Sequence, residues 1–295
     1  MKAILGIDAA WTPHHPSSIA LLRETESRTW ECVAIEASYE DFLILGSSGE
    51  HDTQDSPVPV SALLKTAKDL AETELDLVIA DIPLSANQIA GRRCADNKTS
   101  AMFGGRGCSA HSPNASRPGP ISAEIRQGLE ECGFSLAIDQ ASLLKRALVE
   151  TYPHPALLSL MRASYRVPYK VGNSKKYWPD LSQTEKLVRI VEQLEAITAA
   201  LSLIISGIEI KIPKGQSSFA ALKPVKDKID ALVCAWVGIR VLEGRPMAIG
   251  DDEGAIWLPA DLFPPESANE WSDYLASGAR ASEEFMGGVE DLPVE

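Results

Sequence analysis

The sequence predicts an α/β fold in which antiparallel strands come first and a helix then leads into a parallel strand. Residues 1–8 form an apolar run that ends in an acid, and two short apolar runs, 18–22 and 30–37, follow with charged residues between them. This spacing is typical of an antiparallel meander. Residues 60–73 then carry apolar side chains at helical spacing, and the wholly apolar run 77–80 follows. That order favours a βα crossover into the interior of the sheet.

The rest of the body alternates predicted helices with short predicted strands. Helices are predicted at 122–132, 182–205 and 224–242, and strands at 148–152 and 255–258. No internal repeat or sustained heptad accompanies them. These elements are enough to cover both faces of one sheet, which is what an α/β domain requires.

Composition and charge limit the classes of protein that the sequence can represent. The chain has 295 residues, of which 45% are hydrophobic, and carries a net charge of -13. Residues 251–295 contribute -11 of this, since they hold twelve acids and one arginine, so the body carries -2. No apolar run approaches the roughly 18 residues of a membrane span, and the first residues do not resemble a signal peptide. We therefore expect a cytoplasmic protein.

The cysteines favour a reducing compartment. There are five of them, widely scattered and without a Cys-x-x-Cys pair. An odd, dispersed set fits neither a disulfide framework nor a zinc ribbon. This agrees with the expected cytoplasmic location.

Acidic side chains stand where predicted strands or helices meet loops. Asp8, Asp81 and Glu150 each end an apolar run, and Asp230 lies near the start of the helix at 224–242. A carboxylate at the end of a buried strand is costly to desolvate unless it is paired or binds a cation. Several such oxygen ligands, without a Cys or His cluster, favour Mg²⁺ or Mn²⁺. Asp227 shares a helical face with Asp230 and is the alternative ligand there.

Five short segments together resemble a known family. They are Gly6-Ile7-Asp8-Ala9-Ala10-Trp11, Ile79-Ala80-Asp81-Ile82-Pro83-Leu84, Arg93-Cys94-Ala95-Asp96, Glu150-Thr151-Tyr152-Pro153-His154-Pro155-Ala156 and Asp230-Ala231-Leu232-Val233-Cys234-Ala235-Trp236. The chain is similar, over roughly residues 2–260, to the domain-of-unknown-function family of predicted nucleases with a ribonuclease H-like fold.

The resemblance implies a mixed five-stranded sheet, three antiparallel strands followed by parallel ones, flanked by helices. It places Asp8 on the first strand, Asp81 on the fourth, Glu150 on the fifth and Asp230 on the last helix. We expect a single ribonuclease H-like domain over residues 1–260, with insertions at about 85–145 and 160–220. An acidic tail, 261–295, would follow.

The implied chemistry is metal-dependent hydrolysis of phosphodiester bonds. Two-metal hydrolysis uses two cations about 3.5–4 Å apart and acids that converge from different elements. Asp8 would bridge two Mg²⁺ or Mn²⁺ ions, Asp81 and Glu150 would each hold one, and Asp230 or Asp227 would complete the second site. Asp8, Asp81, Glu150 and Asp230 are accordingly the predicted catalytic residues.

Two basic segments are candidates for contact with a nucleic-acid substrate. Arg93 and Arg106 lie in the most basic loop of the body, and Lys170 and Lys175 lie in a second stretch where tyrosines and a tryptophan are interleaved. Such residues can contact phosphates and stack on bases. Solvated loops and core aromatics are the alternative interpretation. His154 is a candidate for substrate binding or proton transfer, or else a structural histidine.

Two alternatives to a nuclease stay open. The first is a non-catalytic ribonuclease H-like module that binds nucleic acid or protein, which suits a net-acidic chain without one dense basic patch. The second is a phosphotransferase of the actin and sugar-kinase type. It ranks last, because the sequence after Asp8 lacks a glycine-rich phosphate loop.

Overall fold

The computed structural model describes residues 1–46, 59–144, 146–213 and 218–262. These residues form one mixed nine-stranded sheet with helices on both faces. The strands are β1 (Ala3–Asp8), β2 (Ser18–Glu24), β3 (Trp30–Glu36), β4 (Leu77–Asp81), β5 (Ser135–Leu136), β6 (Ala147–Glu150), β7 (Ile205–Ser206), β8 (Pro246–Gly250) and β9 (Ala255–Pro259). The helices are α1 (Tyr39–Leu45), α2 (Val60–Ala71), α3 (Cys94–Phe103), α4 (Pro120–Glu131), α5 (Pro153–Leu160), α6 (Ser174–Tyr177), α7 (Gln183–Ser202) and α8 (Phe219–Leu242).

The sheet combines an antiparallel meander with parallel strands, as the sequence predicts. Its order is β7-β3-β2-β1-β4-β6-β9-β8, and β5 pairs with β6 beside this path. The β1–β2 and β2–β3 pairs are antiparallel, whereas β4 pairs parallel to β1 and β6 pairs parallel to β4. The carboxyl ends of β1, β4 and β6 therefore meet at one edge of the sheet.

The strand count differs from the expected five. Two of the additional strands, β5 and β7, are two residues long, so they leave no apolar run in the sequence. Strand β8 is mostly half-buried, because it lies at the edge of the sheet and pairs with β9 alone on the main path. Short edge strands of this kind carry little periodicity, which is why the sequence did not reveal them.

The predicted long helices are confirmed, with shifted ends. Helix α7 begins after Ser182, whose hydroxyl accepts a hydrogen bond from the Glu185 N–H while the Glu185 carboxylate accepts one from the Ser182 N–H. This is the capping box that the sequence contains. Helix α8 begins at Phe219, five residues before the predicted start at Pro224.

Two hydrophobic clusters cover the two faces of the sheet. Alternate residues of β1 divide between them: Ile4 belongs to the cluster formed with α5, α7 and α8, and Leu5 to the cluster formed with α1, α2 and α4. Within the described ranges, no helix is long and apolar enough to cross a membrane. Most of the predicted acidic tail, from residue 263 onward, lies outside the described residues.

Helix α8 lies directly against the centre of the sheet because a glycine of β1 allows it to. A β-carbon on Gly6 would overlap the carbonyl oxygen of Ala231 and crowd the backbone nitrogen of Ala235. On the helix side, a β-carbon on Gly238 would crowd Ile4. This close approach brings the first half of α8 to the carboxyl end of β1, where the candidate site is found.

Candidate functional site

Asp8 and Asp81 lie side by side at the carboxyl ends of two neighbouring parallel strands. They are register partners in the β1–β4 ladder, so both side chains project from the same face of the sheet. That face is the one covered by α8, since Gly6, two residues before Asp8, contacts the helix backbone. The sequence prediction that these two acids converge agrees with this register.

The amino-terminal half of α8 adds two more acids and a lysine. Asp230 is 4% exposed and Asp227 8% exposed, and the ammonium group of Lys226 lies between them, 2.6 Å from Asp230 Oδ2 and 2.7 Å from Asp227 Oδ1. The same Nζ is 3.5 Å from Asp8 Oδ2. Tyr169 donates its hydroxyl to the other oxygen of Asp230 at 2.6 Å. Three carboxylates therefore surround one buried ammonium, and Asp81 lies beside one of them, Asp8, in the strand register.

The paired strand-end carboxylates are electrostatically strained. The pKa of Asp8 is raised to about 7, because burial and the charges of Asp230 and Asp227 together outweigh the opposing effect of Lys226. Burial also raises the pKa of Asp81 well above its ordinary value, and the charges of Asp8 and Asp230 act in the same direction. These two groups hold protons at pH values where an exposed aspartate is ionised, so an added positive charge would stabilise their ionised forms.

The α8 side of the site is paired with lysines. Burial alone would raise the pKa of Asp227, but Lys226 and Lys223 outweigh it and hold that pKa below its ordinary value. Lys223 Nζ is 2.9 Å from Asp227 Oδ2. Burial alone would lower the pKa of Lys226, yet Asp230, Asp8 and Asp227 raise it well above its usual range. Lys226 is therefore a fixed cation at neutral pH.

A second basic group borders the aspartates. Burial and Lys226 lower the pKa of Lys170, and Asp230 partly offsets them. Arg166 donates from Nη2 to Nε2 of His154 at 2.7 Å. His154 is 4% exposed, and its ring contacts those of Tyr152 and Tyr169 with centroid separations of 5.4 and 5.5 Å. His154 thus links this basic group to the tyrosine that hydrogen-bonds to Asp230.

Glu150 does not join the aspartates. Its register partner on β4 is Ala80, the residue before Asp81, so its side chain projects from the opposite face of the sheet. There it accepts hydrogen bonds from both terminal nitrogens of Arg93, each at 2.6 Å, and from the N–H of Leu84 at 2.7 Å. Because all three acids end apolar runs, the sequence predicts Glu150 beside Asp8 and Asp81, but a one-residue offset in register separates Glu150 from them.

The Arg93 side chain is occupied by contacts within the protein. Besides Glu150 it contacts Asp96, at 2.7 Å, and it donates to the carbonyl oxygen of Leu84 at 2.5 Å. Its side chain is 9% exposed. Burial alone would lower the pKa of Arg93, but Glu150 and Asp96 raise it, so it stays charged. The Arg93–Glu150 pair therefore fixes the segment that follows Asp81. The guanidinium nitrogens of Arg93 are used in these contacts and are not available to bind a substrate.

The other basic residues that the sequence predicts to bind substrate lie in different environments. Arg106 donates to the carbonyl oxygens of Ala163 and Ser164, at 2.8 and 3.1 Å, and so holds two loops together. Lys175 is exposed on the short helix α6. Of the basic residues predicted to bind substrate, Lys170 is the one that the structure brings to the aspartates.

The side chains of the site determine whether it can hold the predicted metal ions. Within the described parts of the chain, no three His, Cys, Asp or Glu side chains are arranged as a metal site, and the Lys226 ammonium stands between the aspartates. Asp8, Asp81 and Asp230 supply oxygen ligands of the type that Mg²⁺ and Mn²⁺ prefer. A second ion has fewer candidates, because Glu150 faces away and Asp227 is paired with two lysines.

Lys226 belongs to the site but is not among the residues that the sequence predicts for it. It lies four residues before Asp230 on the same face of α8, and it is 9% exposed. The available signal was a lysine at i,i+4 spacing from an acid at the start of an otherwise apolar helix. The sequence predicts the acids of α8 as free ligands, whereas their pairing with Lys226 adds a positive charge to the site.

Comparison with known proteins places the chain in a family. Residues 6–254 match the profile of a family described as a protein of unknown function, DUF429. The matched range runs from β1 to the loop before β9 and includes every residue of the candidate site. Comparisons with curated proteins and with solved structures returned no match. Because the matched range spans most of its length, the chain belongs to the DUF429 family.

Proposed function

We propose that this protein is a divalent-cation-dependent hydrolase of phosphodiester bonds, a nuclease, with Asp8, Asp81 and Asp230 as its central carboxylates. The observation that carries the proposal is the register of Asp8 with Asp81 on the face covered by α8, opposite Asp230. Asp8 and Asp81 are half-buried and Asp230 is buried, and the charges of Asp8 and Asp230 raise the pKa of Asp81, so the ionised carboxylates raise the free energy of the site. Such an arrangement is typical of sites whose ligand is a cation.

The strand order of the sheet also supports a ribonuclease H-like architecture. Its central five strands run in the order β3-β2-β1-β4-β6, an antiparallel meander followed by two parallel strands. Asp8 ends the first of these strands and Asp81 the fourth, and Asp230 lies on the last helix. These are the positions that the family resemblance implies. Glu150, on the fifth strand, has the implied sequence position but the opposite orientation.

The proposed ligand set is for one Mg²⁺ or Mn²⁺ ion, held by Asp8, Asp81 and Asp230. When bound, such an ion supplies a Lewis acid for a phosphoryl oxygen and lowers the pKa of a bound water. The ammonium groups of Lys226 and Lys170 can offset the negative charge that a phosphate brings to this acidic site. Asp227 keeps Lys226 in place, and Tyr169 orients Asp230 through its hydrogen bond.

The test is hydrolysis of labelled nucleic acids. Single- and double-stranded DNA, RNA, an RNA–DNA hybrid and a branched DNA would be incubated with Mg²⁺ or Mn²⁺ and with the chelated enzyme. We expect cation-dependent cleavage of at least one substrate by the wild type and a loss of about 100-fold or more in Asp81→Asn. Glu192→Gln, in an exposed ion pair of α7, is the matched control. No cleavage by the wild type, or equal cleavage by Asp81→Asn, would contradict the proposal.

A second candidate function is a binding module without turnover. The position of Lys226 favours it, because an ammonium group already supplies a positive charge among the aspartates. Such a module would bind nucleic acid or protein without needing a metal ion. Calorimetric titration with Mn²⁺ separates the two: the hydrolase binds the ion through its carboxylates, whereas the module gives no carboxylate-dependent heat.

A further inference from the structure

Two cations next to the aspartates form no ion pair within the described residues. Within the described residues, Lys170 makes no hydrogen bond or ion pair through its ammonium group, and Arg166 makes no ion pair. Arg166 contacts two neutral acceptors instead, the carbonyl oxygen of Gly107 at 3.2 Å and Nε2 of His154 at 2.7 Å. Both cations are half-buried. Charges removed from water without a partner are costly, so this part of the structure favours an anion.

Hydrogen-bond donors at the same place are also unpartnered. Nε of Arg166 and Nδ1 of His154 are buried and have no partner. A guanidinium donates, so Nε2 of His154 accepts from Arg166 and the ring proton of a neutral imidazole is on Nδ1. Burial and the neighbouring cations, with Arg166 first among them, lower the pKa of His154 well below its ordinary value, which keeps it neutral. The site thus offers N–H groups that lack an acceptor.

The position of these groups connects them to the aspartates. Lys170 is close enough to Asp230 and Asp81 for their charges to act on it. His154 packs against Tyr169, which hydrogen-bonds to Asp230. A group bound by Lys170 and Arg166 would therefore lie beside the three carboxylates and not on a remote surface.

We propose that Lys170, Arg166 and His154 form a phosphate subsite, which binds phosphate oxygens of the substrate beside Asp81 and Asp230. The inference rests on the proposed nuclease function, which it deepens by naming the residues that bind the substrate's phosphate. Two cations and a neutral imidazole N–H match an anion with several acceptor oxygens. Chloride, which has no directed acceptor oxygens, fits the same groups less well.

The experiment is a calorimetric titration of the full chain with inorganic phosphate. Chloride is the balancing anion that keeps the ionic strength constant. The wild type is compared with Lys170→Met and with Lys175→Met, which removes an exposed lysine of the neighbouring helix α6. We expect phosphate affinity to fall about ten-fold or more in Lys170→Met and to stay within about two-fold of wild type in Lys175→Met. We also expect phosphate to shift the ¹⁵N resonance of His154 Nδ1.

Two results would overturn the subsite. One is a wild type that binds phosphate no better than chloride. The other is an equal loss in Lys170→Met and Lys175→Met, because this would indicate attraction by net charge alone. A Lys170→Met protein that unfolds is replaced by Lys170→Gln, which keeps a polar group at the same position.

The same titration on Asp81→Asn separates this inference from the proposed function. The variant lacks a proposed cation ligand, yet removal of a carboxylate beside Lys170 should maintain or tighten phosphate binding. Phosphate binding without hydrolysis of any nucleic acid would support the subsite and refute the nuclease. Hydrolysis without phosphate binding would do the reverse.

Oligonucleotides with and without a 5′-phosphate identify the source of the phosphate. Tighter binding of the phosphorylated strand, dependent on Lys170, would assign the subsite to a strand end. Equal binding of both strands, again dependent on Lys170, would assign it to the sugar–phosphate backbone. Binding that does not depend on Lys170 in either case would contradict the subsite.

Discussion

At the scale of single residues, the charge of the candidate site depends on which of its acids are protonated. Asp8 and Asp81 are adjacent in register and face the same helix, and burial raises the pKa of both. Asp227, on the same helix as Asp230, behaves in the opposite way because two lysines surround it. Acids that look alike in the sequence therefore differ in charge state. The difference comes from their neighbours, which sequence position does not show.

The raised pKa of Asp8 predicts a specific pH dependence of stability. The pKa of Asp8 is about 7 in the folded chain, whereas an unfolded aspartate titrates near about 3.9. Between these values the folded state binds more protons, so the contribution of Asp8 to the free energy of unfolding decreases as pH rises from about 4 to 7. In EDTA, the wild type should lose on the order of a few kcal/mol relative to Asp8→Asn over this window. Urea unfolding measures the difference, and a flat one would contradict the assigned pKa.

At the scale of elements, the contact between β1 and α8 makes the site possible. Gly6 allows the helix backbone to touch the strand, and this contact sets the distance between Asp8 and the acids of α8. The sequence places Gly6 in an apolar strand but does not show which helix lies against it. Long-range packing of this kind is the part of the site that sequence reasoning could not supply.

Substituting Gly6 should separate the strand from the helix. Gly6→Ala forces a β-carbon onto the backbone of α8, so we expect a loss of about 3 kcal/mol or more in the free energy of unfolding. Gly105→Ala is the matched control, because a β-carbon at that position meets no atom within 4 Å. Chemical denaturation of both variants checks this. Equal stability of the two would mean that α8 does not lie against β1.

The Arg93–Glu150 pair makes a second prediction for the elements. Arg93→Met leaves the buried Glu150 carboxylate without its partner, so we expect a loss of about 3–5 kcal/mol in the free energy of unfolding. Arg126→Met breaks an exposed i,i+4 pair with Glu130 and should cost less than about 1 kcal/mol. The denaturation midpoints of the two variants show how much stability each has lost. Similar small losses would show that the Arg93–Glu150 pair does not hold the segment after Asp81.

How much of the molecule the sequence predicts depends on the range of the interaction. The meander, the helices α2, α7 and α8 and the strand ends at Asp8 and Asp81 all follow from local periodicity and capping. The orientation of Glu150 does not follow from the sequence, because apolar strands buried on both faces do not show the alternation that assigns a side chain to a face. Strands β5 and β7 were missed because two residues carry no pattern. Lys226 was missed because its partners come from β1 as well as from its own helix.

At the scale of the whole molecule, the net charge is concentrated at one end of the chain. Residues 263–295 hold eight acids and one arginine, a charge of -7 out of the total of -13. They lie outside the described residues. An acidic segment attached to a body that carries the remaining -6 repels polyanions at distances within a Debye length, about 10 Å at 0.1 M salt.

Shortening the chain should therefore alter its affinity for nucleic acid. A protein that ends at Leu262 should bind a fluorescent oligonucleotide several-fold more tightly than the full chain at low salt. The difference should shrink as salt rises towards about 1 M, because screening removes the repulsion. Anisotropy titrations at two salt concentrations measure both effects. An unchanged affinity at low salt would show that the acidic segment does not oppose binding.

We propose that Asp8, Asp81 and Asp230, and not Glu150, bind a divalent cation. Calorimetric titration with Mn²⁺ of the wild type, Asp81→Asn and Glu150→Gln tests it most directly, after circular dichroism has shown that each variant is folded. We expect about one ion per chain for the wild type and for Glu150→Gln, and none for Asp81→Asn. No Mn²⁺ binding by the wild type, or equal loss of binding in folded Glu150→Gln and Asp81→Asn, would contradict the claim.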